Sequence, residues 1–162
     1  SLVGSEMCIR DSTSSTLFLY GNHYHPELLP DGARAHYEGY AVDTEIMQMN
    51  RGDFGLSWYG ESLTEGKGKI GEYMSYNNPH KVSLYLRCHA PVILSKTAGL
   101  ARFIEENGIG ITVDSLTDID SVLSSVTPEQ YEQMRQNVIK VSDRLAQGYY
   151  FEHAFEKSLK ML

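Results

Sequence analysis

Short runs rich in apolar, aromatic and β-branched residues alternate along this chain with stretches whose apolar residues recur at helical spacing, and that alternation constrains the fold more than any other feature. Residues 16–20 (Thr-Leu-Phe-Leu-Tyr), 36–40, 53–58, 91–94 and 109–113 read as strands, the first ended by Gly21-Asn22. Helix signals lie between and after them. Asp43 is suited to cap a helix that turns Ile46, Met47 and Met49 inward; further on, Leu100, Phe103 and Ile104 make an apolar face that Gly108 ends in the left-handed conformation. Thr117 with Asp120 resembles a weak capping box ahead of Ile119, Val122 and Leu123, whereas Thr127-Pro128-Glu129-Gln130 is a strong helix start. Tyr131, Met134, Val138, Val141 and Leu145 then recur at spacings of 3, 4, 3 and 4, a long helix with one buried stripe that Gly148 ends. Phe151, Phe155, Leu159 and Leu162 mark a terminal helix with an aromatic face. Strands alternating with helices predict an α/β fold with a doubly wound parallel sheet and right-handed crossovers. Ligands of such sheets bind beyond the carboxyl ends of the strands, so the loops after Tyr20, Tyr40, Trp58 and Leu94 share the edge that matters.

With 162 residues the chain suits one domain with a single core, or part of a larger protein. A formal net charge of -7 argues against nucleic acid as a partner, which would need a basic face to displace counterions. Two cysteines, Cys8 and Cys88, supply neither a disulfide framework nor zinc spacing and fit a reducing cytosol, so the expected location is cytoplasmic. No apolar run reaches the roughly 18 residues of a membrane-spanning helix.

The first dozen residues, SLVGSEMCIRDS, show neither periodicity nor the apolar centre of a secretory signal, and they resemble translated sequencing-adapter read-through. The expectation is a non-native or disordered leader over residues 1–15, a folded domain over 16–162, and a natural protein that extends further upstream.

The chemistry concentrates at Tyr76-Asn77-Asn78-Pro79-His80-Lys81, which leads into Val82-Ser83-Leu84-Tyr85-Leu86. Asn78 is a good N-cap and Pro79 suits the first helical position. Lys81 brings a cation into the first turn, where the macrodipole alone prefers an anion. Free backbone N–H groups, a helix dipole and an ammonium together suit a diphosphate; the plainer account is a capped helix with a solvated lysine. His80, in the same turn, is a candidate phosphate partner or proton donor, or simply an exposed residue.

Other motifs carry less. Gly66-Lys67-Gly68-Lys69-Ile70-Gly71 matches G-x-G-x-x-G, but the preceding strand ends near Trp58 and the helix starts near Asn78, so the dinucleotide context fails. A lysine-bearing lid within the long loop 59–75, or an ordinary surface loop, accounts for it better. His23 and His25 lack a third metal ligand nearby. Asp114, Asp118 and Asp120 lack the glycine and distal Glu of a calcium loop and fit helix starts. Arg51-Gly52-Asp53 is turn chemistry leading into a buried strand. No Ser/His/Asp or Cys/His set assembles, and no metal is implied, since a helix N-terminus can neutralise a diphosphate instead.

Taken in order, residues 53–58 (Asp-Phe-Gly-Leu-Ser-Trp), the 76–81 run with Ser83-Leu84-Tyr85-Leu86, Ala90-Pro91-Val92-Ile93-Leu94 and Asn107-Gly108-Ile109-Gly110 resemble the C-terminal half of bacterial GT-B glycosyltransferases. Within them the chain is most similar to the glucosyl- and galactofuranosyltransferase group that extends surface adhesins and cell-surface polysaccharides. The resemblance covers roughly residues 16–162. It implies a Rossmann-like domain that binds a nucleotide sugar, commonly a UDP-sugar, and passes a hexosyl unit to a glycan or glycoprotein acceptor. It implies that Asn78, Pro79 and Lys81 contact the diphosphate, that Gly71, Tyr73, Tyr76 and Asn77 shape the same edge, and that Tyr40 contacts base or ribose. One departure stands out: the family usually has an acidic residue just after the Trp of the third strand, where this chain has Tyr59, with Glu61 close by. The resemblance also implies an absent N-terminal acceptor domain, an absent first strand and helix, and a terminal helix that crosses to the missing domain, leaving Phe151, Phe155 and Leu159 partly exposed. The isolated chain is therefore expected to be inactive. Homo-oligomer formation and peripheral membrane association of the full-length protein stay open, as do two rivals: a non-catalytic nucleotide-sugar-binding or regulatory module, and a nucleotide-sugar epimerase.

Overall fold

The computed structural model describes residues 2–4 (backbone), 15–21, 34–49, 52–59, 64, 72–73 and 75–161. Its elements are β1 (Leu2–Gly4), β2 (Leu17–Tyr20), β3 (Ala35–Gly39), α1 (Asp43–Met49), β4 (Phe54–Ser57), α2 (His80–Arg87), β5 (Val92–Ser95), α3 (Ala101–Asn107), β6 (Gly110–Val113), a 3₁₀ turn (Leu116–Asp118), α4 (Ile119–Ser125), α5 (Pro128–Ala146) and α6 (Tyr149–Leu159). The six strands form one parallel sheet in the order β3-β2-β1-β4-β5-β6. This order reverses direction between β1 and β4, the switch point at which doubly wound sheets open a crevice.

Burial follows the pleat. Phe54 and Leu56 of β4, Ile93 of β5 and Leu17 and Leu19 of β2 join Leu116 and Ile119 in one apolar layer, with Tyr131 and Met134 against it. Val92 and Leu94 face the other way, into a layer shared with Ile46, Val82, Tyr85, Leu86, Ile104, Val138 and Val141. Alternate residues of each strand thus feed opposite layers, and helices cover both faces. The long helix α5 serves both: Tyr131 donates its hydroxyl to Asp53 O at 3.0 Å, Asn137 reaches Gly108 O at 3.2 Å, and Ser142 takes Arg87 Nη1 on its carbonyl and hydroxyl at 3.0 and 2.9 Å. Asp53 and Gly108 lie at the amino ends of strands, and Arg87 ends α2, so α5 straps the amino edge and leaves the carboxyl edge free of it.

The strands and helices read from sequence all appear, and four local expectations change. Leu2–Gly4, left outside the fold by the sequence reading, pairs with both β2 and β4 and supplies the strand between them. Three residues are too few to display a period, and pairing on both sides is a non-local property. Asp43 lies inside α1 rather than capping it; Glu45 turns its carboxylate back onto the Val42 N–H at 3.0 Å. Ser115, not Thr117, caps the 3₁₀ turn by accepting from Thr117 N. At α2 the N-cap is Pro79, with φ -64 and ψ 129, and Asn78 makes no cap bond. The proline ring fixes only φ; because Pro79 takes an extended ψ it stands outside the helix, which begins at His80, one residue later than expected. The capping box at Thr127 and Gln130 forms as expected, with Pro128 at the first position. Among the described residues no helix is long and apolar enough to cross a membrane.

Candidate functional site

The candidate site is built on the carboxyl edge of the sheet, around the first turn of α2. A helix that joins two parallel strands runs antiparallel to them, so its N-terminus points to that edge. Close packing fixes its height: a Cβ on Gly55 would lie under 3.0 Å from Cβ, Cγ and Cδ2 of Tyr85, so α2 rests on β4 where only glycine fits. Lys81 is one helical turn nearer the edge than Tyr85 and on the same face. Its Nζ sits 5.8 Å from the ring centroid of Tyr59, which follows the buried Trp58 out of β4.

The segment before α2 is tied down by its own backbone and by the next loop. Ser75 N donates to Glu72 O at 3.1 Å, and Tyr76 N and Asn77 N both donate to Tyr73 O, at 3.2 and 3.1 Å. Gly99, between β5 and α3, presses on this turn so closely that a Cβ would stand 2.8 Å from Ser75 O. Pro79 is buried and anchors the entry to the helix. His80 and Lys81 then present the first backbone N–H groups of α2, which have no intrahelical partner.

Of the residues named from sequence, Asn77, Asn78, Pro79, His80 and Lys81 fall together at this helix start, with Tyr73 and Tyr76 in the turn leading to it. Tyr76 is 86 % exposed and Tyr73 and Tyr40 are also open to solvent. His80 is exposed, and its Nδ1 is 4.0 Å from Asp43 Oδ2, which brings the starts of α1 and α2 together. Tyr40 lies just beyond β3 on the same edge, on the α1 side. Gly71 lies outside the described residues, as do His23, His25, Arg51, Glu61 and the glycine-lysine motif at 66–71.

Two participants escaped the sequence reading. Tyr59 appeared there only as a departure from a family pattern, although its place directly after a buried strand end marks it as an edge residue. Gly99 had no signal beyond being a glycine after a strand. Two groups along and just after α2 are displaced mainly by burial: the Tyr85 phenol is pushed well above its ordinary range, with Tyr59 and Cys88 adding to the effect. The Cys88 thiol is pushed up to about 11 by burial and by Asp43, against a smaller opposing pull from Arg87. Neither is suited to proton transfer at neutral pH. The arrangement offers backbone donors, an ammonium and aromatic surface, the elements of an anion and nucleoside site rather than of a nucleophile.

Residues 5–158 match the family model of the glucosyltransferase 3-like C-terminal domain. The chain is 39 % identical over 117 residues to a beta-1,6-galactofuranosyltransferase, WbbI, of Escherichia coli K12, an alignment covering 72 % of this chain and 36 % of the relative. It is 31 % identical over 119 residues to glucosyltransferase 3 of Streptococcus gordonii (73 % of this chain, 35 % of the relative) and 26 % identical over 125 residues to glucosyltransferase 3 of Streptococcus parasanguinis (76 % and 36 %). The chain thus spans little more than a third of the length of these relatives. By this match it belongs to the family of glucosyltransferase 3-like C-terminal domains.

Proposed function

We propose that this chain is the donor-binding part of a GT-B glycosyltransferase that moves a hexosyl unit, glucose or galactofuranose, from a UDP-sugar to a glycan or glycoprotein acceptor. The observation that carries the reading is the start of α2 at the carboxyl edge of a 3-2-1-4-5-6 sheet, with the Lys81 ammonium one turn from the Gly55–Tyr85 contact. Transfer from a nucleotide sugar builds negative charge on the departing diphosphate, and preorganised N–H groups with a cation stabilise it as it develops. On this reading Lys81 and the α2 N–H groups bind the diphosphate without requiring a metal, Asn77, Asn78, Pro79 and His80 shape its seat, and Tyr73, Tyr76 and Tyr40 offer aromatic surface to base, ribose or sugar. The names of the relatives support the two hexosyl candidates. The acceptor site belongs to the remaining length of such proteins, so this polypeptide by itself binds donor and transfers nothing.

The test is calorimetric titration of the chain with UDP, UDP-glucose and a nicotinamide dinucleotide, beside Lys81→Ala. UDP and UDP-glucose bind, the dinucleotide does not, and Lys81→Ala weakens UDP by about tenfold or more, the range for losing a charge-assisted hydrogen bond. Equal UDP binding by the variant sinks the assignment of Lys81.

A further inference from the structure

Resting on the donor-site reading, we propose that Tyr59 is a positioning residue for Lys81, its ring holding the ammonium ready for the diphosphate without neutralising it. Three placements carry this. Tyr85 is wedged on Gly55, which fixes both the height and the rotation of α2 over β4. Lys81 precedes Tyr85 by one turn on the same face, so the wedge also fixes where the lysine stem leaves the helix. Tyr59 emerges from the same strand after four buried residues and Trp58, and its ring centroid is 5.8 Å from Lys81 Nζ, within reach of a cation–π attraction.

The nature of the partner matters. A carboxylate at residue 59 would form an ion pair with Lys81 and cancel its charge towards an incoming anion. An aromatic face attracts the cation through its quadrupole but carries no net charge, so the ammonium keeps its full unit of charge and N–H donors for a phosphate oxygen. A lysine side chain also loses rotamer entropy when it is immobilised; holding it beforehand moves part of that cost out of the binding step. The ring likewise offsets the unfavourable placement of a cation in the first turn of a helix while the site is empty.

The experiment is a binding cycle with UDP as probe on the whole chain, using wild type, Tyr59→Leu, Tyr59→Phe, Lys81→Met and the double variant Tyr59→Leu/Lys81→Met. A parallel ligand-free readout is the shift of the Lys81 side-chain proton resonances by the ring of residue 59. Tyr59→Leu weakens UDP about 3- to 10-fold, the span of a cation–π contact of partly buried groups, and returns the Lys81 resonances to ordinary positions. Tyr59→Phe restores both. In the Lys81→Met background Tyr59→Leu adds no further loss, because the ring then has no ammonium to hold. If Lys81→Met weakens UDP while Tyr59→Leu binds like wild type, the positioning role is overturned and the donor site stands. If Lys81→Met binds UDP like wild type, the donor-site reading falls and this inference with it. A Tyr59→Leu loss that persists in the Lys81→Met background assigns Tyr59 a purely structural role and also overturns the proposal.

Discussion

Gly55 and Tyr85 meet so closely that the strand position tolerates no side chain: a Cβ there would enter the space already held by Cβ, Cγ and Cδ2 of Tyr85. Both residues are buried, and the contact sets the distance between α2 and the sheet. Everything at the start of α2 is referenced to it. Gly55→Ala therefore forces the helix outward or Tyr85 off its rotamer, and destabilises the chain by about 1–3 kcal/mol. Urea unfolding followed by circular dichroism measures this; an unchanged midpoint and slope would show that the packing is looser than described.

Thr127 accepts from Gln130 N, and Gln130 Oε1 accepts from Thr127 N, closing both halves of a capping box at the start of α5. Since α5 straps the amino edge, weakening its first turn loosens Tyr131 from Asp53 as well. Thr127→Ala costs about 1 kcal/mol in the same assay. Thr127→Ser, which keeps the hydroxyl, recovers most of it, and equal loss in the two variants would exclude capping as the cause.

Burial raises the Cys88 thiol from its ordinary 9.0 to about 11, with Asp43 adding to the effect. The folded state thus holds the proton after the unfolded chain has released it. The resulting contribution to stability is complete below pH 9.0 and is lost as pH climbs through about 11. Wild type should lose more stability than Cys88→Ser between those limits. Alkylation at Cys88, followed by mass spectrometry, should stay slow at pH 8 and rise towards pH 11; half-maximal reactivity at or below pH 9 would contradict the burial.

Phe151 and Phe155 of α6 are 76 % and 57 % exposed with ring centroids 6.4 Å apart, and no residue of α6 is fully buried. The beginning of the helix is held where Tyr150 packs edge-on against Phe103. Phe151→Ser and Phe155→Ser should each change the stability of this chain by no more than about 0.5 kcal/mol, as surface positions do. A calorimetric melting point that falls by several degrees in either variant would show that the face is covered by this chain after all.

Much of this architecture was legible beforehand because it depends on local chemistry. Thr127-Pro128 with Gln130 specifies a helix start within four residues, and the 3-4-3-4 stripe from Tyr131 to Leu145 specifies its buried face. The exposure of Phe151, Phe155 and Leu159 on α6 was implied by the family resemblance, not by local pattern. The errors are of two kinds. Boundaries slipped by a residue where two caps compete, as at Asn78 and Pro79, because a proline of φ -64 fits either position and only its ψ decides. Long-range pairing was invisible: nothing within Leu2–Gly4 announces a strand, and it becomes one by lying between β2 and β4.

The residues of 76–81 were picked out by sequence alone, since a lysine in the first turn of a helix, after Asn-Asn-Pro, is a chemical anomaly that requires no fold to notice. Sequence also determined the class of fold, through the alternation of two periods. The tertiary structure decided what stands next to that lysine. Gly55 and Tyr85 are 30 residues apart and Tyr59 and Lys81 are 22, and such pairs meet only once a helix has folded back on its strand. Side-chain pattern dictates local conformation because it acts over one or two turns; which side chain faces an ammonium across a layer depends on packing distances that no local pattern encodes.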